Sequence, residues 1–161
     1  MTGNGAGLNG TYNANDSKDF LIPEIGYVKQ LSPQWAAGVA IYGNGGMNTD
    51  YGNNPFRAFG STGSAGVNLE QLFISPSVAY KLNEYYALGL AVNFAYQRFE
   101  AKGLGAFDNP FFSSSPGNVT NRGTDTSTGW GARLGYTGKI TPDITIGATW
   151  SSKIRTSNLD K

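Results

Sequence analysis

Residues 79–94 read AYKLNEYYALGLAVNF, and their second half carries a period that only one kind of backbone produces. Tyr86, Leu88, Leu90, Val92, Phe94 and Tyr96 alternate with Ala87, Gly89, Ala91, Asn93, Ala95 and Gln97. Successive side chains of a strand point to opposite faces, whereas a helix returns to one face every three or four residues. A period of two held this long predicts a β-strand with one apolar face and one face of small or polar residues.

The unit is used three times. GYVKQLSPQWAAGVAIYG from Gly26 and GYTGKITPDITIGATW from Gly135 repeat its order: a Tyr, a Lys, a short polar turn, a large apolar residue, then alternation with a glycine. The return strands place Trp35, Ala37, Val39 and Ile41, and likewise Ile144, Ile146, Ala148 and Trp150, on the apolar face. The incoming strands agree, with Leu21, Ile25 and Tyr27, then Leu72, Ile74, Pro76, Val78 and Tyr80, then Trp130, Ala132, Leu134 and Tyr136. Their other faces hold Glu24, Ser75, Ser77 and Arg133.

The turns LSPQ, LNEY and ITPD are short, while 43–68 and 100–126 are long and rich in Gly, Asn, Ser and Pro. Short turns at one end and long loops at the other describe an all-β, antiparallel up-and-down meander of about six long strands, part of a transmembrane β-barrel. Strands of about 12 residues also exceed the 5 or 6 usual in soluble sheets and suit a tilted membrane crossing. Tyr27, Trp35, Tyr80, Tyr86 and Tyr136 flank the short turns on the apolar face, where an interfacial aromatic girdle belongs. The expected organisation is one partial barrel over 1–161, with a flexible segment at 1–18 and extracellular loops at 43–68 and 100–126. Six strands are fewer than a single-chain bacterial barrel needs, and an open edge would leave unpaired amides in lipid, so a piece of a larger barrel is expected. No signal-peptide pattern precedes residue 20, so an exported protein is expected to start upstream of Met1.

Composition narrows the function. Only 14% of residues are charged, against roughly 25% in typical soluble domains, while 13% are aromatic and 23 residues are glycine. The net charge of +1 offers no field for nucleic acid. Cysteine and histidine are both absent, which removes thiolate and imidazole chemistry, Ser-His-Asp triads and most zinc sites. No enzyme, metal or cofactor is expected. A soluble β-sandwich with the apolar face as its core is the competing architecture, but its outer face would carry Lys, Glu and Thr in quantity. The second face here is Gly, Ala, Ser and Asn with isolated charges, which suits a crowded, partly hydrated lumen.

Three stretches, PEIGYVKQLSPQWAAGVAIYGNGGMNTDY, VNLEQLFISPSVAYKLNEYYALGLAVNFAYQRF and GWGARLGYTGKITPDITIGATWSSKIR, resemble consecutive strands of the FadL/TodX family of outer-membrane channels for long-chain fatty acids and other hydrophobic compounds. The likeness covers 19–156 and is carried by P-x-x-G-Y before the first turn, N-x-G-x-x-T-[DE]-[YF] at Asn44 to Tyr51, and Leu69-Glu70 ahead of the third strand. It implies a fourteen-stranded barrel plugged by an N-terminal hatch, of which this chain matches strands two to seven and lacks the hatch and the remaining strands. It also implies passive uptake at an extracellular groove and sideways release through a kinked strand, with a hydrophobic small molecule and outer-membrane lipid or lipopolysaccharide as partners. The rival reading is a non-transporting adhesin or structural barrel.

By position, 101–126 corresponds to the groove-forming loop, and Leu104, Phe107, Phe111 and Phe112 are the expected ligand-binding residues; packing as a lid against neighbouring loops is the alternative for them. Gly43, Asn44, Gly45 and Gly46 match the kinked strand, where glycines would let the strand leave its partner's ladder and open a lateral gap. A plain glycine-rich start to an outer loop is the alternative. Glu24, Asn93, Gln97 and Arg133 are expected to face the lumen, lining a path, pairing with the hatch, or simply solvated. The G-x-G-x-x-G match at Gly5 to Gly10 has neither a preceding apolar strand nor a following amphipathic helix, so it carries no nucleotide site.

Overall fold

A computed structural model of the chain describes residues 2–3 and 9–159, with the side chains of 2–3 and 44–45 excepted. Two short strands, β1 (Thr2–Gly3) and β2 (Gly10–Thr11), pair antiparallel. The rest is one sheet: β3 (Glu24–Gln30), β4 (Trp35–Tyr51), β5 (Ala65–Lys81), β6 (Tyr86–Lys102), β7 (Asp125–Lys139) and β8 (Thr145–Ser151), each antiparallel to the next in chain order. A last piece, β9 (Arg155–Thr156), continues along β7 beyond β8. Three residues, 152–154, oppose two on β7, so β8 and β9 are one strand interrupted by a bulge.

The repeated sequence unit is a repeated turn. Leu31, Leu82 and Ile140 donate their N–H groups to the carbonyls of Trp35, Tyr86 and Ile144 at 2.8, 2.9 and 2.9 Å. The residue after each, Ser32, Asn83 or Thr141, accepts backbone N–H groups on its side-chain oxygen from the far side of the turn. Ser, Asn and Thr are interchangeable here because each has a short side chain with an oxygen that can mimic a backbone carbonyl.

The two faces of the sheet differ in the way the alternation predicts. Leu88, Leu90, Phe94 and Tyr96 on β6, Ile74 and Val78 on β5, and Trp130 and Leu134 on β7 all stand exposed on one face. No described element covers them, and among the described residues only Tyr12, Ala65 and Phe73 are buried hydrophobics. A soluble sandwich would bury this face in its core; an uncovered apolar sheet face of this size needs lipid. The other face is lined by small residues, with a trough of about 300 Å³ over Ala36, Gly38, Ser77, Ala79, Gly89 and Gly135.

Three boundaries differ from the sequence reading. The ladder between β4 and β5 continues to Tyr51 and Ala65, so the first long connection is 52–64 rather than 43–68. The ladders of β6 carry on to Lys102 and β7 begins at Asp125, so the second is 103–124 rather than 100–126. The physical reason is that polar residues pair there too: Asn48 Nδ2 donates to Asn68 Oδ1 at 3.0 Å, Arg98 meets Glu70 at 3.4 Å and Lys102 meets Asp50 at 3.3 Å. Leu21 precedes the first long strand instead of lying in it, because Pro23 has no N–H to give to a ladder. Within 1–18, most of the G-x-G-x-x-G match lies outside the described residues, while 14–16 is tied to β4. Asp50 donates its N–H to the carbonyl of Ala14 at 2.8 Å, and Asp16 donates to the carbonyl of Asp50 at 3.2 Å.

Candidate functional site at the outer end of the apolar band

Leu72 is the last apolar residue on the outward face of β5, and Glu70 is the first charged one. Their partners on β4 are Gly43 and Gly46, and between these two pairs the register slips: residues 44 and 45 oppose Gln71 alone. One extra residue on one strand is a β-bulge, which bends the strand and raises its twist. The glycine run therefore coincides with a bulge inside a continuing strand, placed where the outward face changes from apolar to charged. A side chain would be crowded on both sides of it. A Cβ on Gly46 would lie 3.2 Å from the Leu69 carbonyl oxygen, and one on Gly43 would lie 2.8 Å from Cγ2 of Ile22.

The other edge of β4 changes at the same point. Its ladder with β3 ends at the Glu24–Tyr42 pair, followed by one bond from Gly43 N–H to the Pro23 carbonyl at 3.0 Å. The next tie on that side is at Asp50, to Ala14 and Asp16. Among the described residues, none from Gly46 to Thr49 has a backbone hydrogen bond to 17–22. Gly46–Thr49 thus border a window in the ladder, roughly 13 Å long at about 3.3 Å per residue, with a bond to either side of it. Phe20, Leu21 and Ile22 lie in sequence between the residues that make these two ties and are all exposed, Leu21 at 94%. No motif in the sequence marked these three as part of a site, although three consecutive large apolar residues before a proline are a visible signal.

Above the window the two long connections are fastened together. Asn54, buried in the first, donates through Nδ2 to the Gly103 carbonyl at 3.0 Å, and the buried Ser61 hydroxyl accepts from Ala106 N–H at 2.9 Å. Phe107 meets Phe56 of the first connection edge-to-face at 5.2 Å and Phe112 at 5.7 Å, and Phe112 meets Phe111 at 5.1 Å. Edge-to-face pairs at such separations are favourable for aromatic rings. The structure thus brings Phe107, Phe111 and Phe112 into one chain of rings and adds Phe56. Leu104 is half-buried, and its N–H is donated to Thr120 Oγ1 at 3.2 Å. Phe111 remains 88% exposed.

The four residues expected in the lumen share the small-residue face by strand parity but do not converge. Asn93, 4% exposed, accepts a hydrogen bond on Oδ1 from the Ser75 hydroxyl at 2.7 Å. This contact spans the place where the β5–β6 register lapses at Ser75 and Pro76, since Pro76 has no N–H for the ladder. Gln97 Oε1 accepts from Gln71 Nε2 at 3.1 Å, and Arg133 Nε donates to Ser151 Oγ at 3.1 Å. Glu24 is exposed opposite Tyr42, whose ring stacks on Phe73 at 5.5 Å. Among the described residues no cluster of acidic side chains could hold a metal ion.

The long-chain fatty acid transport protein of Salmonella typhi is 29% identical over 129 residues, which cover 71% of this chain and 29% of that protein. The chain thus spans less than a third of the length of that relative. The model of the family described as outer membrane protein transport protein (OMPP1/FadL/TodX) matches residues 2–161. Its uncovered apolar face and alternating ends agree with that match, and the chain belongs to this outer-membrane β-barrel family.

Proposed function

We propose that the whole protein carries hydrophobic molecules, such as long-chain fatty acids or aromatic hydrocarbons, passively across the outer membrane, and that they leave sideways through the window beside β4. The observation that supports this best is the coincidence of a bulge, an interrupted ladder and the outer limit of the apolar band at Gly43–Gly46. Backbone groups facing lipid must be hydrogen-bonded, so a barrel tolerates an open stretch of ladder only near the water boundary or where it serves passage. The ring chain of Phe107, Phe111 and Phe112 supplies an apolar landing place on the outside, because exposed rings gain about 25 cal/mol per Å² on covering. Outward Tyr, Trp and Leu side chains meet the lipid, while the Glu70–Arg98 and Asp50–Lys102 pairs stand at the height of lipopolysaccharide head groups.

The test is uptake of labelled fatty acid or aromatic hydrocarbon by cells lacking the gene and complemented with the full-length protein. Replacing Gly45 and Gly46 by Val fills the window with branched side chains. Loss of uptake with normal barrel assembly is the expected result, and undiminished uptake overturns lateral release at this point.

A further inference from the structure

The stretch 14–23 is joined to β4 at both ends of the window, and among the described residues no backbone hydrogen bond ties 17–22 to Gly46–Thr49 in between. At the inner end Gly43 N–H bonds the Pro23 carbonyl, and at the outer end Asp50 N–H bonds the Ala14 carbonyl. Between them lie Phe20, Leu21 and Ile22, exposed by 57, 94 and 72%. Large apolar side chains gain free energy when their exposed area is covered, and these three stand between the two ties to β4 with most of theirs uncovered by this chain. Ile22 is the one in contact with the window's rim. Gly43 continues the outward parity of Ile41, so a side chain there would point toward lipid, and the space it would take is filled by Ile22 Cγ2. The missing side chain of Gly43 is the seat of Ile22.

We infer that Phe20, Leu21 and Ile22 form the exit site of the lateral path: an apolar strap that the acyl chain or ring of the departing ligand slides along, with Ile22 on Gly43 as the latch that lifts to let it into the membrane. This rests on the transport reading above and adds the residues that gate it. The latch is weak by construction. One isoleucine seated against a glycine buries part of a single side chain, and Ile22 remains 72% exposed. A greasy ligand can replace that contact with its own.

The geometry supplies the test. A Cβ on Gly43 would lie 3.8 Å from the Cβ of Ile22, in the middle of the range that a disulfide spans. Ile22→Cys with Gly43→Cys, in the full-length protein, staples the strap to β4 reversibly, and this chain brings no other cysteine. The oxidised double variant should lose uptake of labelled fatty acid and regain it on treatment with reductant, while the uptake of either single variant, whatever its level, is the same before and after reductant. Leu21→Asp is the second variant, chosen because a side chain this exposed is free of the fold; the charge it puts on the strap should lower uptake without changing the amount of folded barrel. Wild-type uptake by both the oxidised double variant and Leu21→Asp overturns the strap while leaving lateral release standing. A parent protein that takes up no more than cells lacking the gene overturns the transport reading and the strap with it.

Discussion

Exchanging Leu90 for arginine should cost far more than placing a charge one residue further along the same strand. From Tyr86 to Tyr96 the outward face of β6 is apolar at every position, and Arg98 ends the run. At about 3.3 Å per residue and a tilt of about 40°, that run rises about 25 Å along the membrane normal, the height of an outer-membrane apolar band. Leu90 then stands about 10 Å above Tyr86, close to the midplane. An arginine facing lipid at that depth costs about 2–4 kcal/mol, a shift of roughly 30- to 900-fold in the folded-to-unfolded ratio. Ala91 has the opposite parity and pairs directly with Arg133. Ala91→Glu therefore meets an opposite charge across the ladder, and the pair should return about 0.2–1 kcal/mol. The assay is equilibrium unfolding of the full-length protein in lipid vesicles, followed by tryptophan fluorescence, with Trp35, Trp130 and Trp150 all on the outward face as reporters. Equal losses for Leu90→Arg and Ala91→Glu, or a larger loss for the second, would refute the assignment of faces.

Three further outcomes follow from the contacts described. Gly103 has φ +76° and a Cβ there would strike the Ser64 backbone, so Gly103→Ala should cost about 1–3 kcal/mol of local strain and expose 103–124 to added protease on intact cells. Asn93→Ala leaves the buried Ser75 hydroxyl without its acceptor, and unfolding in vesicles should register about 1–3 kcal/mol. Replacing Phe111 and Phe112 by Ser in the full-length protein should lower uptake of hydrophobic ligand while the Phe56–Phe107 contact persists; unchanged uptake would leave these rings as a lid alone.

The strands that cross the membrane were legible because lipid on one side and a narrow lumen on the other enforce strict alternation, as in Tyr86 to Tyr96. Beyond that zone the rule inverts. Val67 and Leu69 turn inward while Asn68 and Glu70 face out, so a search for outward apolar residues sees the strand end where only its surroundings change. Glycine compounded this, since Gly43, Gly45 and Gly46 look like an ending by propensity, yet a bulge absorbs them and the ladder resumes at Gly46–Glu70. The ring chain was half legible: Phe107, Phe111 and Phe112 stood out as exposed apolar residues in a polar stretch. Phe56 did not, because its contact with Phe107 joins two connections far apart in sequence. The strap was missed since Leu21 was read as part of a strand that Pro23 prevents from starting so early.

The height of the bulge also bears on what kind of molecule can leave there. Gly43 is level with the last outward apolar residue of β5 and Gly46 with the first charged one, so the lateral release proposed above would take place at the junction of acyl chains and head groups rather than in the middle of the bilayer. An amphiphile departing at that height inserts its tail while its carboxylate stays among water and head groups. No charge is dragged to the bilayer centre, where a carboxylate costs about 2.5–3.5 kcal/mol or more. On the proposed route the molecule would arrive already oriented as a membrane lipid is, with no step needed to turn it over.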